Sequence, residues 1–106
     1  KCENLHGHNW RVELTVAGNT LDATGLLIDF HDLKRILKAI MNDLDHININ
    51  DHAAFREQNP SSENLARYIF EQIDAELQKT APQAKAHTVT VYESATSRCT
   101  WIADQA

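Results

Sequence analysis

The chain has 106 residues, 42% of them hydrophobic and 24% charged, with a formal net charge of -5. That length suits one domain with one modest core. The acidic balance argues against a nucleic-acid partner, because phosphate backbones favour basic surfaces, and the lack of a long apolar run argues against a membrane span or a secretory leader.

The two cysteines, Cys2 and Cys99, could form one bridge. A reduced, cytoplasmic chain is the expectation, since small secreted folds carry more cysteines. The chain has no initiator Met and begins almost at Cys2, so residues upstream of it are expected.

Residues 6 to 16 alternate. His6, His8, Trp10, Val12, Leu14 and Val16 fall on one face, and Asn9, Arg11, Glu13 and Thr15 on the other, which is the period of a half-buried strand. Gly18-Asn19 and Asp22-Ala23-Thr24-Gly25 mark turns, and Leu26-Leu27-Ile28 reads as a short extended piece. Asp29 is suited to cap a helix, with Asp32 near the helix's positive end. Leu33, Ile36, Leu37, Ile40, Met41 and Leu44 then recur at helical spacing, with Lys34, Arg35 and Lys38 off the stripe. Asp45-His46 closes that helix, and 47–59 reads as loop.

A second helix starts at Asn59-Pro60-Ser61-Ser62-Glu63, where Asn59 or Ser61 can cap, Pro60 suits the first turn and Glu63 suits the N-terminal dipole. Leu65, Ile69, Ile73 and Leu77 repeat every four residues, and the helix should end near Lys79, before Pro82. Residues 88–93 alternate again, 94–97 can turn, and Cys99 to Ala103 can return as the second strand of a hairpin. The resulting order, strand, strand, helix, helix, strand, strand, is an α+β plan: an antiparallel sheet with helices on one face.

Four places carry potential chemistry. Alternate residues of a strand point the same way, about 6.5–7 Å apart, so His6 and His8 can converge on one ion. Imidazole nitrogens suit zinc; a His-x-His pair by itself is equally two surface histidines at a strand end. Cys2 could be a third ligand, a thiolate base or an inert buried thiol. In Asp45-His46 the carboxylate can orient the imidazole, or the histidine can simply meet the negative end of its helix. Glu93 is either a solvated strand end or a carboxylate matched to a guanidine-like edge with two parallel N–H groups.

Taken in order, Cys-x3-His-Gly-His-Asn before a strand, Thr-Gly-Leu-Leu-Ile-Asp-Phe, Leu-Asp-His at a helix end, Asn-Pro-Ser-Ser-Glu-Asn-Leu-Ala and Val-Thr-Val-Tyr-Glu resemble the 6-pyruvoyl-tetrahydropterin synthase and 6-carboxy-tetrahydropterin synthase family over nearly the whole chain. The resemblance implies one tunnelling-fold domain over 1–106: a four-stranded antiparallel sheet with two helices on one face, three such sheets closing into a barrel and two trimers stacking into a hexamer. It implies that His6 and His8 are two of three zinc ligands and that Cys2 is the catalytic proton acceptor. Asp45 and His46 become the relay pair, and Glu93 the catalytic-site carboxylate that anchors the pterin ring. Glu63, with Ser61 and Ser62 before it, becomes a segment that holds the pterin from a neighbouring subunit. The family's third zinc histidine lies on a strand ahead of the cysteine, and that strand is missing from this sequence. His31, His52 and His87 do not match the role.

The implied substrate is 7,8-dihydroneopterin triphosphate. The three-residue gap between Cys2 and His6 resembles the carboxy-forming enzymes of queuosine-precursor synthesis, which release acetaldehyde. The alternatives are the pyruvoyl-forming reaction on the same substrate, and a non-catalytic module that binds a pterin or purine.

Overall fold

A computed structural model describes residues 11–45 and 61–104 of the chain. Strand β1 spans Arg11–Ala17, with Val12, Leu14 and Val16 half-buried and the odd-numbered residues exposed, as the period-two pattern demands. Residues 6 to 10 of the expected strand lie outside the described residues. Helix α1 spans Phe30–Asp45. Asp29 caps it: its carboxylate accepts the His31 N–H at 2.8 Å, and its carbonyl accepts the Leu33 N–H at 3.1 Å.

Helix α2 spans Ser62–Thr80. Its cap is Ser61, whose Oγ accepts the Asn64 N–H at 3.2 Å. The Ala81 N–H donates to the Leu77 carbonyl at 2.7 Å as the helix ends, and Pro82 follows. Strands β2, Lys85–Tyr92, and β3, Arg98–Ile102, complete an antiparallel sheet of order β1-β2-β3. Strand β2 begins three residues earlier than its β-forming residues suggest. A register shift between Thr15 and Val16 lets pairing continue as Val16 with Ala86 and Ala17 with Lys85, so the ladder, rather than local propensity, holds residues 85–87 extended.

Among the described residues the sheet has three of the four expected strands. One expectation is corrected: Leu26-Leu27-Ile28 is not a strand. The Asp22 carboxylate accepts the Thr24 N–H at 2.9 Å, the Leu26 N–H at 3.0 Å and the Thr24 hydroxyl at 2.6 Å, and the Asp22 N–H donates to the Leu26 carbonyl at 2.7 Å. Gly25 turns the chain at φ +85°, where a Cβ is disfavoured. The backbone folds on itself and has no ladder to join. The Leu27 carbonyl is taken instead by the Gln83 side-chain amide at 2.9 Å. These donors, the Thr24 hydroxyl foremost, hold the Asp22 carboxyl below its ordinary pKa.

One core joins both helices to one face of the sheet. It contains Leu33, Ile36 and Leu44 of α1, Leu65, Ala66, Ile69, Ile73 and Leu77 of α2, and Val89 and Val91 of β2, with Val12, Leu14, Val16 and Cys99 packed against it. Burying each large aliphatic side chain contributes roughly 1.5–3 kcal/mol as an upper figure. The other sheet face is polar. Cross-strand rows there read Arg11, Tyr92, Arg98, then Thr15, Thr88, Ile102, with Glu13, Thr90 and Thr100 between them. The Thr90 and Thr100 hydroxyls meet at 2.7 Å, and the Thr15 and Thr88 hydroxyls meet likewise. Just past β1, a Cβ on Gly18 would collide with the Gln83 carbonyl and the Leu27 side chain. No described helix is long and apolar enough to cross a membrane.

Candidate active site

The N-terminus of α2 and the β2–β3 hairpin meet at one end of the sheet. The hairpin register is set locally: the Glu93 N–H donates to the Ser97 carbonyl at 2.8 Å, and the Ser94 Oγ accepts the N–H groups of Thr96 and Ser97 at 3.3 and 3.1 Å. That loop places Arg98 opposite Tyr92 and Cys99 opposite Val91. Val91 is a core residue, so Cys99 faces the helices. Small side chains at Ser61, Ser62, Ser97 and Cys99 leave a cavity of about 170 Å³ there, completed by Glu63, Glu93 and Arg98.

Glu63 sits in the first turn of α2, where the free N–H groups favour negative charge. Burial, then the Glu63 and Glu93 carboxylates, push the Cys99 thiol above its ordinary pKa. At neutral pH Cys99 is therefore a neutral thiol, a wall of the cavity rather than a nucleophile. The same two carboxylates are acceptor-only groups, suited to a ligand edge rich in N–H donors. On the polar face of the sheet, Tyr92 lies in the same cross-strand row as two arginines. The Arg11 and Arg98 guanidinium carbons are 4.5 and 5.8 Å from its ring centre, and its hydroxyl donates to Glu13 at 3.2 Å.

Of the residues singled out in the sequence, Ser62, Glu63 and Glu93 line this one cavity, with Ser61 beside them. They come together within a single chain. Asp45 is the last residue of α1. Its side chain, together with Cys2, His6, His8, His46 and His52, lies outside the described residues. His31 is in the first turn of α1 and His87 is on β2. Among the described residues no three His, Cys, Asp or Glu side chains form a group able to hold a metal. Cys99 is a free thiol.

Sequence reasoning missed Ser97, Arg98 and Cys99 as parts of the site. The signal was present in the turn-forming run 94–97, which fixes the register and so fixes which residues of β3 face Glu93. A larger cavity, about 710 Å³, opens at the opposite end of the sheet beside Asn19, Asp74, Lys85 and His87. It contains none of the candidate residues, and Asp74 there accepts the Ala86 N–H at 3.2 Å. Size alone is a poor guide to chemistry here, because the smaller cavity is the one lined by Ser62, Glu63 and Glu93.

Comparison with known proteins identifies the family and the fold. The sequence model of the 6-pyruvoyl tetrahydropterin synthase family matches residues 1–103. A 6-carboxy-5,6,7,8-tetrahydropterin synthase of Bacillus subtilis is 33% identical over 94% of this chain and 69% of its own length. The human 6-pyruvoyl tetrahydrobiopterin synthase is 40% identical over 89% of this chain and 65% of its own length. The chain thus spans about two thirds of these relatives. The solved structure of Caenorhabditis elegans 6-pyruvoyl tetrahydropterin synthase superposes with a TM-score of 0.73 at 24% identity, covering 93% of this chain and 69% of that one, so the fold is shared.

Proposed function

Because the chain belongs to the 6-pyruvoyl tetrahydropterin synthase family, we propose that it is a zinc-dependent 6-carboxy-5,6,7,8-tetrahydropterin synthase, converting 7,8-dihydroneopterin triphosphate and water to the 6-carboxy product with release of acetaldehyde and triphosphate. The observation that carries the reading is the cavity shared by Ser62, Glu63 and Glu93. Its paired carboxylates match the 2-amino and ring N–H donors of a pterin, and its small volume suits a flat bicyclic ring. Glu93 positions that ring, and Glu63 and Ser62 hold it against the start of α2.

The donor chemistry of His6 and His8 fits zinc, since neutral imidazoles two residues apart are nitrogen donors of the preferred type, with a third ligand supplied from upstream of Cys2. When bound, zinc supplies Lewis acidity toward the hydroxyls of the substrate tail. Cys2 takes a proton from the side-chain carbon as thiolate. His46, oriented by Asp45, moves a second proton. Cys99 does not share this work, because its thiol is held protonated.

The carboxy product is favoured by the three-residue gap from Cys2 to His6. The human relative keeps the pyruvoyl-forming reaction as the second reading. The assembly we propose is a hexamer of two stacked trimers, in which three sheets close side by side; among the described residues β1 and β3 are the sheet edges. We propose a cytoplasmic location. Incubation with 7,8-dihydroneopterin triphosphate followed by mass analysis tests the assignment. The 6-carboxy product with acetaldehyde supports it, the 6-pyruvoyl product selects the second reading, and recovery of unchanged substrate from zinc-loaded protein rejects both.

A further inference from the structure

The candidate cavity, about 170 Å³, is smaller than the roughly 300–1,000 Å³ that encloses a drug-sized ligand. With the pterin ring of the proposed function in it, three phosphates have no room beside the ring and lie outside, against what the rim offers. Six of the seven lining residues are neutral or acidic, and the seventh is Arg98.

Arg98 shares the cavity with two carboxylates and, among the described residues, forms an ion pair with neither. Its guanidinium is turned instead toward the Tyr92 ring, 5.8 Å from the ring centre. That ring also receives Arg11 at 4.5 Å, and the order Arg11, Tyr92, Arg98 runs straight across the three strands. Arg11 is partly neutralised by Glu13 at 3.2 Å. Among the described residues Arg98 has no such carboxylate partner. Both guanidiniums lie against one ring, and Glu13 pairs with Arg11. The cavity lining thus combines two exposed carboxylates with one arginine, whose guanidinium lies over the Tyr92 ring.

We infer that Arg98, braced by Tyr92, is the residue that binds the phosphate end of the ligand whose ring fills the cavity. The inference deepens the proposed function and rests on it for the identity of the ring. A guanidinium presents a planar fork of donors to phosphate oxygens, and the aromatic face limits the conformations that the long side chain must give up on binding. Arg98 is a binding residue here, with no part in proton transfer. Arg11 is its weaker neighbour, since Glu13 competes for it.

The test compares three probes on the full chain by calorimetry: 7,8-dihydroneopterin triphosphate, 7,8-dihydroneopterin without phosphate, and inorganic triphosphate. Arg98→Gln should weaken the triphosphate ester and inorganic triphosphate by about ten- to a hundredfold, the worth of one charge-assisted phosphate contact, and leave the unphosphorylated pterin unchanged. Arg98→Lys should recover part of the loss, keeping the charge and losing the fork. Equal weakening of both pterins, or no weakening of any probe, overturns the inference. If inorganic triphosphate binds in an Arg98-dependent way but neither pterin binds, the anion site stands and the pterin reading falls. If both pterins bind wild type and Arg98→Gln alike, the pterin reading stands and the anion site falls.

Discussion

The two helices look alike as sequences and differ as structures. Each carries an apolar stripe at helical spacing. In α2 the stripe is completely buried, with Leu65, Ile69, Ile73 and Leu77 all at 0% exposure. In α1 only Leu33, Ile36 and Leu44 are buried, Leu37, Ile40 and Met41 remain half-buried, and Phe30 is 73% exposed. The reason is position: α2 packs against β2, β3 and α1, while the principal partner of α1 is α2. Periodicity says which side of a helix is apolar; neighbours on that side decide how deep it goes. The better-anchored helix is also the one whose N-terminus carries Ser61, Ser62 and Glu63 into the cavity.

This contrast should appear first in stability. Ile69→Ala is expected to cost about 2–5 kcal/mol, since a fully enclosed side chain leaves a void behind. Ile40→Ala should cost less than about 2 kcal/mol, because the half-buried site was partly wet already. Urea unfolding midpoints check the pair, and equal losses would mean that α1 is anchored as firmly as α2. Binding should move next. Glu93→Gln removes an acceptor charge from an exposed position just past β2, so it should raise the dissociation constant for dihydroneopterin about tenfold and shift stability by no more than about 0.5 kcal/mol. Smaller still, Ser61→Ala should lose about 1 kcal/mol through the missing cap, with the site end of α2 loosening before its middle in hydrogen exchange.

The smallest effects are those of pH. The Cys99 pKa is raised in the folded state, so folding binds that proton more tightly. Its contribution is fully present below the ordinary thiol pKa and is lost as pH rises from there through the folded value. Alkylation of Cys99 near pH 8 should accordingly run slower than that of an exposed thiol, and Glu63→Gln should speed it. Asp22 has the opposite sign. Its lowered pKa contributes stability above the ordinary carboxyl value, and that is lost as pH falls through the folded one, so the 22–26 turn should exchange its amides faster in acid.

Much of the fold was legible because its signals are local. Asp29 and Ser61 cap where their side chains can reach free N–H groups, and Val12, Leu14 and Val16 alternate because a sheet has two faces. What failed depends on contacts distant in sequence. Leu26-Leu27-Ile28 has the composition of a strand, but Gln83, far along the chain, claims the Leu27 carbonyl. Residues 85–87 have little strand preference and are extended by pairing with β1. In the site, Glu63 and Glu93 were identifiable from their motifs. Arg98 and Cys99 carry no motif of their own; their membership follows only once the turn run 94–97 is used to fix the hairpin register.

Gly18 ties these distant pieces together. Its missing side chain lets the exit of β1 rest directly on the Gln83 backbone and on Leu27. An alanine there would act as a wedge between the first strand and the connection leaving α2. The damage would surface far from the cavity, as protease cuts across 19–28, and the hairpin that carries Glu93 would feel it only through the shared central strand.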